Sequence, residues 1–310
     1  MNFPALTDSQ RLIRLEHPTR RARVVIDTDT FNEIDDQFAI VHALLSPERL
    51  QVEALYAAPF HNEHSDGPAD GMERSYQEIH SLLTKLGWPS DGLVFRGSTS
   101  YLPDSREPVH SAAAADLVQR AMSSPPDEPL VVVAIAALSN VASAILIEPR
   151  IVERMVLVWL GGHALHWPHT AEFNLRQDVH AARLVFDCGV PLVHIPCMGV
   201  TSHLTTTISE LQAYLDEGGA IGRYLFDIVS RYETDHFGWS KVIWDMAAVA
   251  YLLNAAWVET DLVHSPILTD QLTWSFDPGR HFIRSARFVN RDPIFRDFFI
   301  RLKGVHNGEN

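Results

Sequence analysis

Leu130 to Ala136 (LVVVAIA) and Met155 to Leu160 (MVLVWL) are apolar at every position. Strict alternation would mark a strand with one wet face. An unbroken apolar run of this length instead marks a strand covered on both faces, as in a parallel sheet flanked by helices. Val24-Val25-Ile26 and the PLVHI stretch at 191–195 read the same way, and VEALY at 52–56 reads as a further strand. A chain built on such strands must carry helices between them, because parallel neighbours need a long crossover connection.

The intervening segments supply those helices. Helices are predicted at about 35–45, 72–86, 109–121, 178–188, 206–216, 219–232, 242–253 and 292–302, with one more opened by the capping pair Ser139-Asn140. Pro47 closes the first and Gly87 the second. Phe38, Ala39, Ala43 and Leu44 should line one face of the first helix. PFHNEHSDGPADG at 59–71 and the segment 96–108 read as long loops, SSPPDEP at 123–129 as a turn, and 273–289 as a weaker strand pair. Strand and helix alternate without a composition break or internal repeat. The expectation is therefore the α/β class: a single Rossmann-like domain over residues 23–302 with a mostly parallel central sheet, a lead-in at 1–22 and a tail at 303–310.

Composition narrows the chemistry. The formal charge is −14 over 310 residues, which repels phosphate backbones and anionic membranes, so no polymeric nucleic acid and no membrane is expected as partner. Two cysteines are too few for a disulfide framework or a tetrathiolate metal site. No stretch reaches membrane-spanning length without a charge, and MNFPALTDSQRLIRLEHPTRRARVV lacks the basic-then-apolar order of a signal peptide. A cytoplasmic enzyme is the class to test.

The densest chemical signal is VVIDTDTFNEIDDQFAI. Asp27, Asp29, Glu33, Asp35 and Asp36 crowd into ten residues behind an apolar strand. Convergence of carboxylates at a strand end favours a hard cation such as calcium or magnesium. One reading is a phosphatase-like Asp-x-Asp-x-Thr loop at Asp27-Thr28-Asp29-Thr30, with the first aspartate as nucleophile. It leaves the Asp35-Asp36 pair without a task, and no lysine-rich loop follows to hold a phosphate.

The whole run, Asp-x-Asp followed by Asp-Asp-Gln-Phe-Ala and a helix, resembles the N-terminal signature of the inosine–uridine nucleoside hydrolase family. Further segments match in order. Ala137-Leu138-Ser139-Asn140 is similar to the family's Pro-Leu-Thr-Asn segment. Gly161-Gly162 followed by Thr170-Ala171-Glu172-Phe173-Asn174 and Asp178 is similar to its central signature. Trp244-Asp245 is similar to the aspartate that opens a C-terminal helix.

The resemblance implies a nucleoside hydrolase-like fold and hydrolysis of a ribonucleoside N-glycosidic bond, giving free base and ribose. It implies Ca2+ held by Asp29, Asp36, Asp245 and the Ser139 carbonyl, with Asp27 in support and Asp35 as the base that activates water. Glu172 and Asn174, two apart in an extended segment, would then face the sugar together. Trp-Asp is as in purine-preferring members, so Trp244 would stack on a purine. A homo-oligomer that binds a nucleoside or small riboside is implied as well.

The chain departs from the family in three places. Five residues separate Asp29 from Asp35 where the family has three, so Asn32 and Glu33 form a different lip over the sugar or replace one of its contacts. His166 stands where the family has a sugar-contacting asparagine. The asparagine that usually follows the second strand is displaced, leaving His61 or Asn62 for that role. His163 and His169 read as loop packing. His166, His61 or solvent would protonate the leaving base. Two other functions compete: hydrolysis of a different small riboside, and a catalytically silent ribose- or nucleoside-binding protein.

Overall fold

The computed structural model describes residues 3–306. Eight strands form one sheet. β1 (Ala22–Thr28), β2 (Leu50–Ala57), β3 (Val94–Arg96), β4 (Leu130–Ile135), β5 (Met155–Leu160) and β6 (Leu192–Ile195) all run parallel. Two short antiparallel pairs lie outside it: β7 (Thr205–Thr206) with β8 (Lys241–Val242), and β10 (Ile267–Leu268) with β11 (Trp274–Ser275). The remaining strands, β9 (Val258–His264) and β12 (Phe282–Val289), complete the sheet. Its order is β3-β2-β1-β4-β5-β6-β12-β9, with β12 parallel to β6 and antiparallel to β9. The mostly parallel α/β domain expected from the apolar runs is thus present.

Eleven α-helices occur among the described residues: α1 (Asp8–Arg14), α2 (Asp36–Leu44), α3 (Pro68–Leu86), α4 (Ala112–Ser123), α5 (Ser139–Ile147), α6 (Phe173–Gln177), α7 (Val179–Cys188), α8 (Ile208–Leu215), α9 (Gly219–Tyr232), α10 (Met246–Leu253) and α11 (Arg291–His306). Each central strand divides its side chains between two cores, as a period of two requires. Val24, Ile26, Val131, Val133 and Val158 join α2, α3, α8, α9, α10 and α11 on one face. Val25, Val132, Ala134, Leu157 and Trp159 join α4, α5 and α7 on the other. Burial on both faces is why β4 and β5 contain no polar residue. Among the described residues, no helix is long and apolar enough to cross a membrane.

Several local expectations change. The first predicted helix, α2, is buried all round, not along one face, because α10 packs beside it and α11 reaches it through Phe298 and Asp297. The helix expected at 72 starts at Pro68, whose fixed φ and missing N–H suit a first turn. The next helix starts at Ala112, where Ser111 caps it, and not at 109. Ser139 and Asn140 do open α5, yet neither caps it; their side chains are used elsewhere. Residues 273–289 hold two strands that pair with other partners, not with each other. The terminal helix continues through residues 303–306 of the expected tail; 307–310 lie outside the described residues.

Candidate active site

The order 3-2-1-4-5-6 reverses direction between β1 and β4, and a crevice opens beyond the carboxyl ends of strands at such a switch point. The acidic run leaves β1 there. Asp35, Asp36 and Asp245 each bring a carboxylate oxygen within 4.8 Å of the others, and all three are buried. Asp35 and Asp245 occupy the N-cap positions of α2 and α10, but neither makes a side-chain capping bond. Helix capping therefore does not explain them. Thr28 donates its hydroxyl to Asp36. Asp29 is 1% exposed, and neither of its carboxylate oxygens has a hydrogen-bond partner among the described residues. Asp27 lies deeper: Asn140 Nδ2 donates to its Oδ1 at 2.7 Å, and Oδ2 is unpartnered.

Such crowding is unfavourable for bare carboxylates. Burial, followed by the charge of Glu33, pushes Asp35 up to about 7. Asp29, Asp36 and Asp245 are held well above the ordinary carboxylate range, first by burial and then by the charges of neighbouring carboxylates, Asp35 among them in each case. Asp27 is raised to about 7 by burial. Unpartnered oxygens, an all-oxygen donor set and mutual repulsion together fit a hard divalent cation. Cys197 lies beside Glu172, and burial raises its thiol far above the usual range, so no thiolate is offered to a softer metal.

A cavity of about 310 Å³ opens at this cluster. Among the residues singled out from the sequence, its walls include Asp29, Asn32, Asp35, Glu172, Asn174, Trp244 and Asp245. Trp244 is half-buried at the start of the α10 segment, next to Asp245. A larger cavity of about 740 Å³ lies under the N-terminal lead-in, against Val131, Val156 and Tyr251, but has no cluster of converging carboxylates.

Glu172 and Asn174 do reach the cavity, though not from an extended segment. Glu172 is the N-cap of α6, accepting from the N–H groups of Asn174 (2.9 Å) and Leu175 (3.1 Å) and also from Gly162 (2.8 Å). Asn174, inside α6, donates Nδ2 to the Leu160 carbonyl at 3.1 Å. Asp178 caps α7 and holds the Ser139 hydroxyl at 2.6 Å, which pins the start of α5 beside the crevice.

The other candidates lie outside the cavity wall. His166 is exposed and sits edge-on to Trp167; His61 is exposed, its backbone tied to Gln177. Asn62 makes its contact through another residue, donating Nδ2 to Asn32 Oδ1 at 2.7 Å and to the Asn32 carbonyl at 3.1 Å. The histidine that does line the cavity is His163, read from sequence as loop packing. Gly162, at φ +67°, turns the chain inward after β5, and the Thr170 hydroxyl accepts the His163 N–H at 3.0 Å. Burial holds the His163 ring neutral, near a pKa of about 4. Glu33, read from the sequence with Asn32 as a lip over the sugar, also lines the cavity, as do Cys197 and Met198, to which no role was given.

Comparison with known proteins agrees with this geometry. The family model for the inosine-uridine preferring nucleoside hydrolase matches residues 24–275. A pyrimidine-specific ribonucleoside hydrolase, RihB of Escherichia coli O1:K1, is 28% identical over 177 residues, which cover 55% of this chain and 54% of that enzyme. A probable uridine nucleosidase 2 of Arabidopsis thaliana is 25% identical over 237 residues, covering 70% and 71% of the two chains. Among solved structures, a plant nucleoside hydrolase, the PpNRh1 enzyme, superimposes with a TM-score of 0.74 at 21% identity, over 91% of this chain and 99% of that one. A purine-preferring ribonucleoside hydrolase from Gardnerella vaginalis gives 0.72 at 20% identity, over 92% and 99%.

Proposed function

The chain belongs to the inosine-uridine preferring nucleoside hydrolase family, and from that premise we propose that it hydrolyses the N-glycosidic bond of a ribonucleoside to free base and ribose. The observation that carries this reading is the buried carboxylate cluster with unpartnered oxygens at the switch point of the sheet. Calcium would be held by Asp29, Asp36, Asp245 and the Ser139 carbonyl, with Asp27 supporting the shell. Bound there, it supplies Lewis acidity toward the sugar's vicinal hydroxyls and toward water.

The chain's own groups do the rest. Asp35, raised to about 7, is poised to accept a proton from the attacking water at neutral pH. The surrounding carboxylates favour the positive charge that develops on the sugar as the bond to the base lengthens. Asn174 retains one amide hydrogen and its carbonyl oxygen for a sugar hydroxyl, and Glu172 can accept one. Trp244 offers a flat face for the base, which favours purines in this reading. His61 and His166 are exposed outside the cavity wall and His163 is neutral, so protonation of the departing base falls to solvent.

A second assignment of the base is favoured by one observation. Asp35 stands with Asp36 and Asp245 in the tightest oxygen cluster, whereas both Asp29 oxygens are unpartnered. Exchanging the two roles would make Asp35 a ligand and Asp29 the proton acceptor. Measuring base and ribose release from a nucleoside panel with calcium separates the assignments. Asp35→Asn without activity but with normal calcium affinity supports Asp35 as base; the same behaviour in Asp29→Asn transfers the role. Ligand binding without turnover by the wild-type protein would favour a silent binding protein. As in the resemblance, a homo-oligomer acting on small ribosides is expected, and light scattering tests the assembly.

A further inference from the structure

The loop between Asp29 and Asp35 is tied down at nearly every residue. Gln37 Nε2 donates to the Thr30 carbonyl at 2.7 Å, and the Arg74 guanidinium lies 5.8 Å from the centre of the Phe31 ring. Asn32 donates its N–H to the Asp29 carbonyl at 2.6 Å and receives two bonds from Asn62. Glu33 takes the Lys241 ammonium on Oε1, and the Tyr232 hydroxyl donates to the same oxygen at 2.8 Å. Lys241 is 6% exposed, also donates to the Val242 carbonyl at 3.0 Å, and lies 5.0 Å from the centre of the Tyr232 ring. Glu33, itself in the cavity wall, is thus held by a lysine of β8 and a tyrosine at the end of α9.

These bonds leave the Asn32 amide nitrogen free at the cavity. Asn32 lines the cavity, its Oδ1 accepts from Asn62, and its Nδ2 has no partner among the described residues. Burying a lysine to nine-tenths is a costly way to hold a mere surface loop, since its ammonium is desolvated while Glu33 stays half-buried. Fixing a cavity wall gives that expense a use.

We propose that Glu33 and Lys241 form a clamp at the cavity that holds the 30–34 loop as one wall, so that Asn32, oriented by Asn62, presents its amide as a hydrogen-bond donor to the ligand. Asn32 is then the binding residue, and Glu33, Lys241 and Asn62 are positioning residues. This rests on the nucleoside reading above for the identity of the ligand. It accounts for the two residues that distinguish this loop, and it gives Asn62 a role although it lies outside the wall.

The test is a double-mutant cycle of Glu33→Gln and Lys241→Met with Asn32→Ala and Asn62→Ala alongside, each checked for folding by circular dichroism. On a hydrolysed ribonucleoside, each variant should raise KM about tenfold with kcat within about threefold. The double clamp variant should be no worse than either single one, because a pair acting as a unit is lost once. Additive losses, or an unchanged KM in Asn32→Ala, would overturn the clamp. If the wild-type protein hydrolyses no nucleoside, the function fails separately, and calorimetric dissociation constants for inosine in the same variants are read by the same criteria; absence of inosine binding by the wild type also overturns the clamp. Should the lysine variant not fold, Asn62→Ala, which leaves the ion pair intact, decides the case.

Discussion

Calcium binding should be strongly pH-dependent, and its slope can be worked from the cluster. In the cation-free protein Asp35 is raised to about 7, and Asp29, Asp36 and Asp245 are held well above the ordinary carboxylate range, each first through burial. Their protonated forms are thus favoured below neutrality, and a cation must displace those protons. At pH 6 a carboxyl of pKa about 7 is about nine-tenths protonated; at pH 7 it is about half protonated. Under the assignment that makes Asp35 a ligand, its proton alone should make calcium affinity rise about fivefold from pH 6 to pH 7; each raised ligand carboxyl steepens the rise, up to a limit of about tenfold, or about 1.4 kcal/mol, per proton and pH unit. Calorimetry on chelator-stripped protein at pH 6, 7 and 8, in two buffers of different ionisation enthalpy, gives affinity and proton release together. About one or more protons should leave per cation at pH 6, and Asp245→Asn should lower that number by about one. Affinity independent of pH with no proton release would refute the crowding from which the site was inferred.

Four substitutions test the supporting structure and the cavity itself. Asp178→Ala removes bonds to the Ser139 hydroxyl at 2.6 Å, the Leu102 N–H at 2.8 Å and the Ala181 N–H at 2.9 Å, and should cost about 3 kcal/mol in urea denaturation. Gly97→Ala would set a Cβ 2.0 Å from the Ala57 carbonyl oxygen and 2.4 Å from Asn140 Nδ2, the group that holds Asp27. It should destabilise by about 3 kcal/mol and lower activity with it, by the same denaturation and by base release. His166→Ala should leave kcat/KM within about threefold, whereas Trp244→Ala should lower it at least about tenfold if the indole stacks on the base; steady-state kinetics on one nucleoside distinguishes them.

The parallel sheet was legible because β4 and β5 are apolar on both faces, and no other common arrangement buries such strands. β9 was not, since its middle is exposed at the sheet edge and carries Glu259, Thr260 and Asp261. Asp29, Asp35, Asp36 and Asp245 could be collected from sequence because four ordered motifs gave their relation, although the 200 or so residues between the acidic loop and Asp245 contain no local signal of contact. Two differences come from local geometry. The spacing of Glu172 and Asn174 reads as period-two neighbours, but Glu172 caps a helical turn that contains Asn174. Spacing puts His166 at the position of the family's asparagine, while the left-handed turn at Gly162 brings the His163 ring into the cavity wall. Glu33 and Lys241 are 208 residues apart, and nothing in either segment announces their pairing.

The most direct measurement is a crystal structure of the protein with calcium and a nucleoside. One calcium should be coordinated by carboxylate oxygens of Asp29, Asp36 and Asp245 at about 2.3–2.6 Å, with the sugar beside it and Trp244 against the base. A nucleoside bound away from this cluster, with the aspartates protonated and no cation among them, would contradict the assignment of the site.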